Sequence, residues 1–242
     1  IRVLARALYG LPQAPKLWAD YFAKTLKRLG WTQSPQVGLW RKWSTKTGSW
    51  LRVTVYVDDC LISGANDAEV SKELSMILET HKGSIIKPEK VDENWEQIDL
   101  LGCELMYSRK LKSCHFSMHR YILEMATELG LEDCRRADSP ASDLGALQAS
   151  NSPEVPRFPI RKAIGMLQWC ATCCRPDISF MVQSLAKTVS RVPTAAVVRA
   201  TKKVMRYLCH STQKGISYFP QSEFSFRRTY QNLIVNKNKG CC

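Results

Sequence analysis

The segment VTVYVDDCLISG, from Val53 to Gly64, places two adjacent carboxylates between two runs of apolar and β-branched residues. The runs predict β-strands, and the acidic pair predicts the bend that joins them. Neighbouring side chains of a strand point to opposite faces, so Asp58 and Asp59 can serve one site only where a hairpin bend relaxes that rule. Two interpretations stay open: a solvated turn, in which Asp is favoured by its local hydrogen bonds, or a site for a divalent cation that offsets the charge.

Magnesium is the cation that the second interpretation predicts. It prefers oxygen ligands and commonly takes one or two carboxylates together with the phosphates of a substrate. A four-residue motif is weak evidence when it stands alone, because short motifs also occur by chance. The rest of the chain therefore has to decide between the two interpretations.

The composition predicts a globular protein with a polyanionic partner. With 242 residues, of which 45% are hydrophobic, the chain can bury a core as one large domain or two small ones. Its formal charge of +13 favours nucleic acid as the partner, with an acidic membrane surface second, because neutralising phosphates releases counterions. No stretch approaches the roughly 20 consecutive apolar residues of a membrane span, which predicts a soluble intracellular chain. The ten cysteines are irregularly spaced and predict reduced, mostly buried thiols.

Apolar periodicity predicts a series of helices and hairpins. Helices are expected at 16–29, after a cap at Asn66 or Asp67, and at 119–129, 160–173, 177–190 and 195–210, and strands at 40–43, 50–57, 100–107 and 112–117. The polar segment 81–98 is predicted to be a loop. The segment 135–158, rich in Ser, Pro, Asp and Ala, is predicted to be a linker and the best domain boundary.

Six segments stand out along the chain: ALYGLPQAPKLW (7–18), VYVDDCLISG (55–64), LLGCEL (100–105), HRYILEMATELGLEDCRRADSP (119–140), IGMLQWCATCCRPDISF (164–180) and KKVMRYLCHSTQKGISY (202–218). In this order they resemble the reverse transcriptase of copia-type LTR retrotransposons. The resemblance implies an α+β fold: a polymerase palm with an antiparallel sheet and the YVDD hairpin, followed by a helical thumb and connection region. The implied division is a partial palm without fingers at 1–110, a thumb-like hairpin, helix and linker at 111–158, a helical connection region at 159–218, and a divergent tail at 219–242 without RNase H.

The resemblance implies a role for four residues in two of these segments. Asp58 resembles the carboxylate that binds catalytic magnesium, and Asp59 resembles its supporting partner. Tyr56 stands where the family has an aromatic residue beside the primer end, and Gln13 resembles the residue that contacts the incoming deoxynucleotide. Pro12 departs from the family, which usually has Lys there, and so removes a charge and a backbone donor beside Gln13.

The implied function is RNA-directed DNA synthesis. A primer hydroxyl attacks the α-phosphate of a deoxynucleotide, and two Mg²⁺ ions stabilise the attacking and leaving oxygens, which requires carboxylates from more than one strand. The family has a further aspartate upstream of the first segment, and RNase H carboxylates are expected after Tyr218; neither is found in this sequence. We therefore expect a fragment that is inactive alone. In the family such a segment is part of a larger polyprotein with integrase and RNase H, acting on template and primer in a cytoplasmic particle or the nucleus.

The basic face of the helix predicted at 195–210 is a second candidate site. Arg199, Lys202, Lys203 and Arg206 lie on adjoining turns with almost no acid nearby, which favours contacts with nucleic-acid phosphates over an ordinary solvated helix surface. The same residues support an alternative function, a non-catalytic basic nucleic-acid-binding remnant of a decayed element. Such a remnant binds template-primer duplex but carries out no magnesium-dependent synthesis.

Two further patterns are interpreted as parts of the core. The C-x-x-C-C cluster of Cys170, Cys173 and Cys174 lacks the four ligands of a structural zinc site and falls in an apolar helix. Tryptophans can stack on bases, but most of those in this chain fall on apolar faces and are expected to fill the core. They are Trp18, Trp31, Trp40, Trp43, Trp50 and Trp169.

Overall fold

The computed structural model describes residues 10–148, 158–189 and 194–222, together with residues 224, 225 and 228. Contacts between Cα atoms divide the chain into two compact units, Ile1–Ile86 and Lys87–Cys242, called the first and the second unit below. Both units combine helices with an antiparallel sheet. The α+β class with antiparallel sheets is therefore confirmed.

The first unit is a four-stranded antiparallel sheet with two helices. Its elements are α1 (Ala14–Arg28), β1 (Thr32–Gln33), β2 (Leu39–Ser44), β3 (Ser49–Tyr56), β4 (Asp59–Ser63) and α2 (Asp67–Leu78), and the strand order is β1-β2-β3-β4. Pro15 lies in the first turn of α1, where its missing N–H costs nothing. The Asn66 side chain caps α2 by accepting a hydrogen bond from the backbone N–H of Glu69, at 3.0 Å.

Both helices of the first unit pack on the same face of the sheet. Alternate residues of the strands face them, and the buried apolar set consists of Phe22, Leu26, Trp31, Trp40, Leu51, Val53 and Ile77. One buried carboxylate lies in this layer. Glu73 of α2 accepts hydrogen bonds from Nε1 of Trp31 at 3.1 Å and from Nζ of Lys42 at 2.7 Å. Because its partners satisfy it, this charge can be buried between sheet and helix.

The second unit is a five-stranded antiparallel sheet with a helical layer. Its elements are β5 (Glu89–Lys90), β6 (Glu96–Leu100), β7 (Cys103–Ser108), β8 (Ser113–Ser117), α3 (His119–Glu128), α4 (Leu144–Gln148), α5 (Ile160–Cys173), a 3₁₀ turn (Pro176–Ile178), α6 (Ser179–Ala186), α7 (Ala195–Cys209) and β9 (Ile216–Tyr218). The strand order is β5-β6-β7-β8-β9. One apolar core joins α3 to α5, α6 and α7, through fully buried residues such as Met125, Leu167, Leu185 and Met205.

Two segments and one boundary differ from the sequence-based predictions. The predicted loop at 81–98 contains β5 and the start of β6. These strands depend on pairing, and β6 pairs with β7, which lies outside this segment, so the apolar pattern of the segment does not reveal them. The predicted linker at 135–158 contains α4, whose Leu147 is buried in the core of the second unit. The contacts divide the chain between Ile86 and Lys87 rather than in that linker. The division into palm, thumb-like and connection segments stays a prediction, and most of the predicted tail lies outside the described residues.

Membrane-spanning helices are absent from the described part of the chain, since no helix there has the required length and apolar content. Within the same residues eight cysteines are free thiols. Cys103, Cys170 and Cys174 are buried, and Cys60 is exposed.

Candidate functional site

The acidic pair lies where β3 turns into β4. Tyr56 pairs with Asp59 across the hairpin, so the connecting loop consists of only two residues, Val57 and Asp58. Val57 has a φ of +51°. Both turn types that favour two-residue hairpin loops require a positive φ at the first loop residue. The structure therefore places Asp58 in the loop and Asp59 at the first position of β4, and both are exposed.

A hydrogen bond from α1 holds this turn. Nε1 of Trp18 donates to the backbone carbonyl oxygen of Val57 at 2.9 Å. The Trp18 ring stacks on Phe22 of the core at 5.8 Å between centroids. A β-branched residue such as Val57 is disfavoured at positive φ, and such strain persists only where surrounding contacts impose it. Trp18 is such a contact, and it follows Gln13 by little more than one turn of α1.

A second contact holds β3 just before the turn. The backbone N–H of Val55 donates to the carbonyl oxygen of Gly38 at 2.7 Å. Gly38 has a φ of +78°, and a Cβ atom there would lie 2.6 Å from the Val55 carbonyl oxygen, so only glycine fits this approach. The turn is thus fixed through backbone groups while its carboxylates stay free.

The Asp58 and Asp59 carboxylates have no hydrogen-bond or ion-pair partner among the residues that the structure describes. Their negative charge nevertheless affects the neighbouring thiol of Cys60. Although the residue as a whole is exposed, desolvation of its sulfur, followed by the negative charges of Asp59 and Asp58, raises the pKa of the Cys60 thiol to about 11. The turn is therefore a local concentration of negative charge without a partner among the described residues.

The donor set at the turn fits Mg²⁺ only in part. Two exposed carboxylates supply the oxygen ligands that Mg²⁺ prefers, and the ion commonly takes just one or two of them. Among residues 10–148, 158–189 and 194–222, however, no group of three or more His, Cys, Asp or Glu side chains is placed to hold a metal ion. The described residues thus offer one carboxylate-bearing turn, and a site for two ions requires further ligands.

The other residues predicted for the first site lie near the turn or at the start of α1. Tyr56 is 55% exposed and shares the outer face of the hairpin with Asp59, its cross-strand partner. Gln13 is the exposed residue immediately before α1, and its carbonyl oxygen accepts the first helical hydrogen bond, from Leu17 N at 3.0 Å. No hydrogen bond joins the Gln13 side chain to the turn within the described structure. Sequence reasoning missed Trp18, although it ends the segment ALYGLPQAPKLW.

The basic helix α7 lines a cavity of about 420 Å³ in the second unit. Three of the four predicted cations, Arg199, Lys203 and Arg206, line it, and Arg136 joins them from the segment before α4. One carboxylate, Asp143, is also at its wall. Lys202 does not line the cavity, because its ammonium lies over the Phe158 ring, 5.2 Å from the centroid. Sequence reasoning missed Arg136, whose only signal was the pair of arginines in CRRADSP.

A buried arginine fixes the C-terminal end of α7. Arg175 is only 1% exposed; it donates to both carboxylate oxygens of Asp177, at 3.0 and 2.8 Å, and to the carbonyl oxygen of Ser211 at 2.8 Å. The hydroxyl of Tyr207 donates to the same carboxylate at 2.8 Å. Burial opposes ionisation of Asp177, but the Arg175 and Tyr207 bonds outweigh it and hold its pKa below the usual value. This network ties the turn after α5 to the basic helix.

The cysteine cluster of α5 lies in the core. Cys170 and Cys174 are buried and Cys173 is half-buried. Burial, the largest influence, raises the pKa of Cys170 to about 12. A thiol of this kind is protonated and inert at neutral pH, which fits the interpretation of these residues as part of the core.

Sequence comparisons show which proteins this chain is similar to. A family model described as reverse transcriptase (RNA-dependent DNA polymerase) matches residues 1–142. A transposon Ty5-1 protein of Saccharomyces cerevisiae is 28% identical over 223 residues, which are 90% of this chain and 68% of that protein. The retrovirus-related Pol polyprotein from transposon RE1 of Arabidopsis thaliana is 29% identical over 215 residues. The corresponding polyprotein from transposon TNT 1-94 of Nicotiana tabacum is 24% identical over 219 residues.

The matched region is a small part of the two plant polyproteins. It covers 88% of this chain but 14% of the RE1 polyprotein, and 86% of this chain but 16% of the TNT 1-94 polyprotein. No solved structure matches the chain with statistical significance.

Proposed function

This chain belongs to the reverse transcriptase (RNA-dependent DNA polymerase) family, and from that premise we propose that the β3–β4 turn is the metal-binding tip of a polymerase palm. The family match extends over residues 1–142 and so includes the whole first unit. The relatives named above are retrotransposon proteins, which confirms the resemblance to retrotransposon reverse transcriptases. The activity of this chain, its substrates and its site residues are our proposal.

The observation that carries the proposal is the state of the two carboxylates. Asp58 and Asp59 lie exposed at a turn that Trp18 holds through its backbone, and both are without a partner in the described structure. We propose that Asp58 binds catalytic Mg²⁺ and that Asp59 supports it. When bound, two Mg²⁺ ions stabilise the attacking and leaving oxygens of nucleotidyl transfer. The carboxylate that completes such a site comes, in this proposal, from polyprotein sequence outside the described residues.

Substrate contacts are assigned to the residues around this turn and to the basic helix. Tyr56, exposed beside Asp59, is proposed to contact the primer end. Gln13, exposed before α1, is proposed to contact the incoming deoxynucleotide. The cations that line the α7 cavity are proposed to hold the phosphates of the template-primer, a contact that positions nucleic acid without reading its sequence. Lys202 of the same helix is proposed to contribute less, because its ammonium lies over the Phe158 ring.

Primer extension by a longer polypeptide tests the assignment of Asp58. The polypeptide adds preceding polyprotein sequence to this chain, and its magnesium-dependent extension of a DNA primer on an RNA template is measured. Asp58→Asn keeps the size of the side chain and removes its charge, so we expect extension to fall by orders of magnitude. Asp20→Asn, on the exposed side of α1 in the same unit, is the matched control and leaves extension unchanged. Equal extension by Asp58→Asn and the parent polypeptide contradicts the proposal.

The alternative function is a basic nucleic-acid-binding remnant without catalysis. One observation fits it as well as it fits the polymerase: four cations line the α7 cavity, and they can hold phosphates without catalysis. Such a remnant binds template-primer duplex with an affinity that falls steeply with salt. In the longer polypeptide it shows this binding but no magnesium-dependent synthesis, which separates the two functions. Either function places the chain inside the cell, within a larger polyprotein, and that location is part of the proposal.

A further inference from the structure

The outer face of the first sheet, opposite to α1 and α2, carries exposed aromatic rings. In the register of β2 and β3, Trp43 is directly opposite Trp50, and both project away from the core face that holds Trp40 and Val53. Trp43 is 51% exposed and Trp50 is 36% exposed. Their rings meet edge to face with centroids 5.1 Å apart. Two adjacent tryptophans therefore face solvent, where their apolar area does not contribute to the core.

Two arginines share this face with the tryptophans. Arg41 of β2 lies directly opposite Arg52 of β3, one cross-strand pair away from the tryptophans on the same face. The Arg41 guanidinium carbon is 4.8 Å from the centroid of the Trp50 ring, and Nη1 of Arg52 donates to the Trp50 carbonyl oxygen at 3.4 Å. Neither arginine has an ion-pair partner among the described residues. Like charges directly opposite on two strands destabilise a sheet, so the free chain carries a repulsion that an anion would relieve.

This combination has the chemistry of a surface for single-stranded nucleic acid. Aromatic rings on a sheet stack with unpaired bases, and adjacent cations follow the phosphates. A duplex does not offer the same contacts, because its bases are already stacked on one another. Negative charge on this face is distant from the arginines. The nearest carboxylate in the register is that of Asp59, which pairs with Tyr56, four residues along β3 from Arg52. Four residues of a strand span about 13 Å.

We propose that the outer face of β2 and β3 binds single-stranded nucleic acid, with a base stacked on Trp43 and phosphates bound by Arg41 and Arg52. The surface is called the tryptophan-arginine face below. This binding goes beyond the proposed polymerase function. It needs neither Mg²⁺ nor Asp58, because none of its groups is a metal ligand.

Binding of a fluorescein-labelled 20-nucleotide oligo(dT) to the full chain, followed by anisotropy at two or more salt concentrations, tests this surface. Trp43→Ala removes a stacked base, so we expect the dissociation constant to rise about tenfold. Arg41→Gln and Arg52→Gln weaken binding too, and each lowers the slope of log K against log salt by about 0.7, the value for one phosphate of a single strand. Lys24→Gln, an exposed cation of α1 on the opposite side of the sheet, and Phe180→Ala, an exposed aromatic of the second unit, are matched controls that change neither quantity by this amount.

A second measurement locates the contact directly. Oligonucleotide containing 5-bromouracil is photo-crosslinked to the wild-type chain, and mass spectrometry identifies the peptide that carries it. We expect crosslinks at the peptide that contains Trp43 or Trp50. Circular dichroism of each variant checks that the sheet has formed.

Three results overturn the proposal. The first is binding of oligo(dT) by folded Trp43→Ala and Arg52→Gln with the wild-type dissociation constant. The second is an equal loss of affinity for a 20-base-pair duplex in Trp43→Ala, because a duplex gains nothing from stacking on one ring. The third is crosslinking confined to peptides outside β2 and β3. The two proposals can fail separately. If the variants of this face lose affinity for oligo(dT) but the longer polypeptide that carries them extends primers normally, the surface is supported independently of the polymerase proposal. If Asp58→Asn loses primer extension but binds oligo(dT) normally, the surface is unaffected.

Discussion

The indole N–H of Trp18 donates to the backbone carbonyl oxygen of Val57 at 2.9 Å, and so connects helix α1 to the two-residue loop that carries Asp58. Val57 holds a φ of +51°, which a β-branched residue adopts only under constraint. The bond involves no side chain of the acidic pair. It therefore orders the turn without neutralising the charge that the proposed function needs.

Replacing Trp18 by Phe is expected to loosen the turn while keeping the core. Phe retains a ring against Phe22 but has no N–H, so one hydrogen bond is lost and the free energy of unfolding falls by about 1 kcal/mol. In the longer polypeptide we expect kcat for primer extension to fall about tenfold, because small displacements of a reacting group are costly, with a smaller change in KM.

Tyr21→Phe is the matched control for Trp18→Phe. Tyr21 lies on the same helix and packs edge-on against His81, as Trp18 does, but makes no bond to the turn. Equal kcat values for Trp18→Phe and the parent polypeptide contradict a positioning role for Trp18.

Alkylation of Cys60 reports the charge at the turn. Desolvation of its sulfur, with Asp59 and Asp58, raises the pKa of this thiol to about 11, so iodoacetamide is expected to modify it slowly at pH 8.5. Asp58→Asn removes one negative charge and lowers the pKa. For each unit by which the pKa of Cys60 falls, alkylation becomes about threefold faster, because the fraction of thiolate rises more than its nucleophilicity falls. Peptide mapping by mass spectrometry measures Cys60 separately from the other thiols.

Magnesium is expected to have the same effect on Cys60 as removal of the charge. If Mg²⁺ binds the two carboxylates, alkylation of Cys60 accelerates with Mg²⁺ concentration in the wild-type chain. In the double variant Asp58→Asn, Asp59→Asn it does not, and Asp20→Asn responds like the wild type. A rate that is independent of Mg²⁺ in the wild-type chain shows that these residues do not bind the ion by themselves.

Glu104 is expected to make the stability of the second unit depend on acid pH. Its carboxylate accepts bonds from the hydroxyl of Ser117 at 2.9 Å and from the backbone N–H groups of His119 and Arg120 at 2.6 and 2.8 Å, and so caps α3 from strand β7. Burial alone would raise the pKa of Glu104, but these bonds outweigh it and lower the pKa below 4.5. The contribution is therefore complete above about pH 5 and is lost as the pH falls through the lowered pKa.

Glu104→Gln measures that contribution. The amide keeps one acceptor oxygen but turns an NH₂ group toward donors, so we expect a loss of about 2 kcal/mol at pH 7, seen as a fall of several degrees in the melting temperature. The difference from the wild type shrinks as the pH falls below 4.5. A difference that stays constant from pH 7 to pH 3 contradicts the assignment.

Arg199 and Lys202 form a matched pair on helix α7. Arg199 lines the cavity and has no hydrogen-bond or ion-pair partner in the described structure, whereas Lys202 lies over Phe158. We expect Arg199→Gln to weaken binding to a template-primer duplex and to reduce the salt slope by about 0.9, the value for one phosphate of a duplex. Lys202→Gln has a smaller effect on the slope, and equal slopes for the two variants exclude the cavity as the phosphate site.

The hairpin shows how far the sequence predicts the candidate site. Alternating apolar residues predict a strand at 50–57, and the structure has β3 at Ser49–Tyr56. The sequence predicts the acidic pair as the bend, whereas the loop consists of Val57 and Asp58, and Asp59 is the first residue of β4. Local preferences favour Asp over Val at a positive φ, yet Val57 is the loop residue that has one. This conformation depends on the hydrogen bond from Trp18, which is distant in the sequence.

The tryptophans show the same limit. Trp40 and Trp43 are three residues apart in LWRKWS, so they point to opposite faces of the strand, but the segment alone does not show which of them faces the core. Trp40 is buried and Trp43 is exposed, because α1 and α2 cover only one face of the sheet. Four of the six tryptophans, Trp18, Trp31, Trp40 and Trp169, lie in or against the two cores, as expected for most of them. Trp43 and Trp50 are the exceptions, and the surface proposed above follows from their exposure.

The linear order of residues is sufficient to determine the family, the α+β class and most of the helices and hairpins, because these depend on local periodicity and on segments that occur in a characteristic order. Groupings of residues distant in sequence are decided by the tertiary structure. It joins Trp18 to Val57, Glu104 to the start of α3, and Arg136 to Arg199, and it separates Lys202 from the cations beside it. The physical reason is that hydrogen bonds and charge clusters act over a few ångströms in space, and packing brings together groups whose distance along the chain carries no such information.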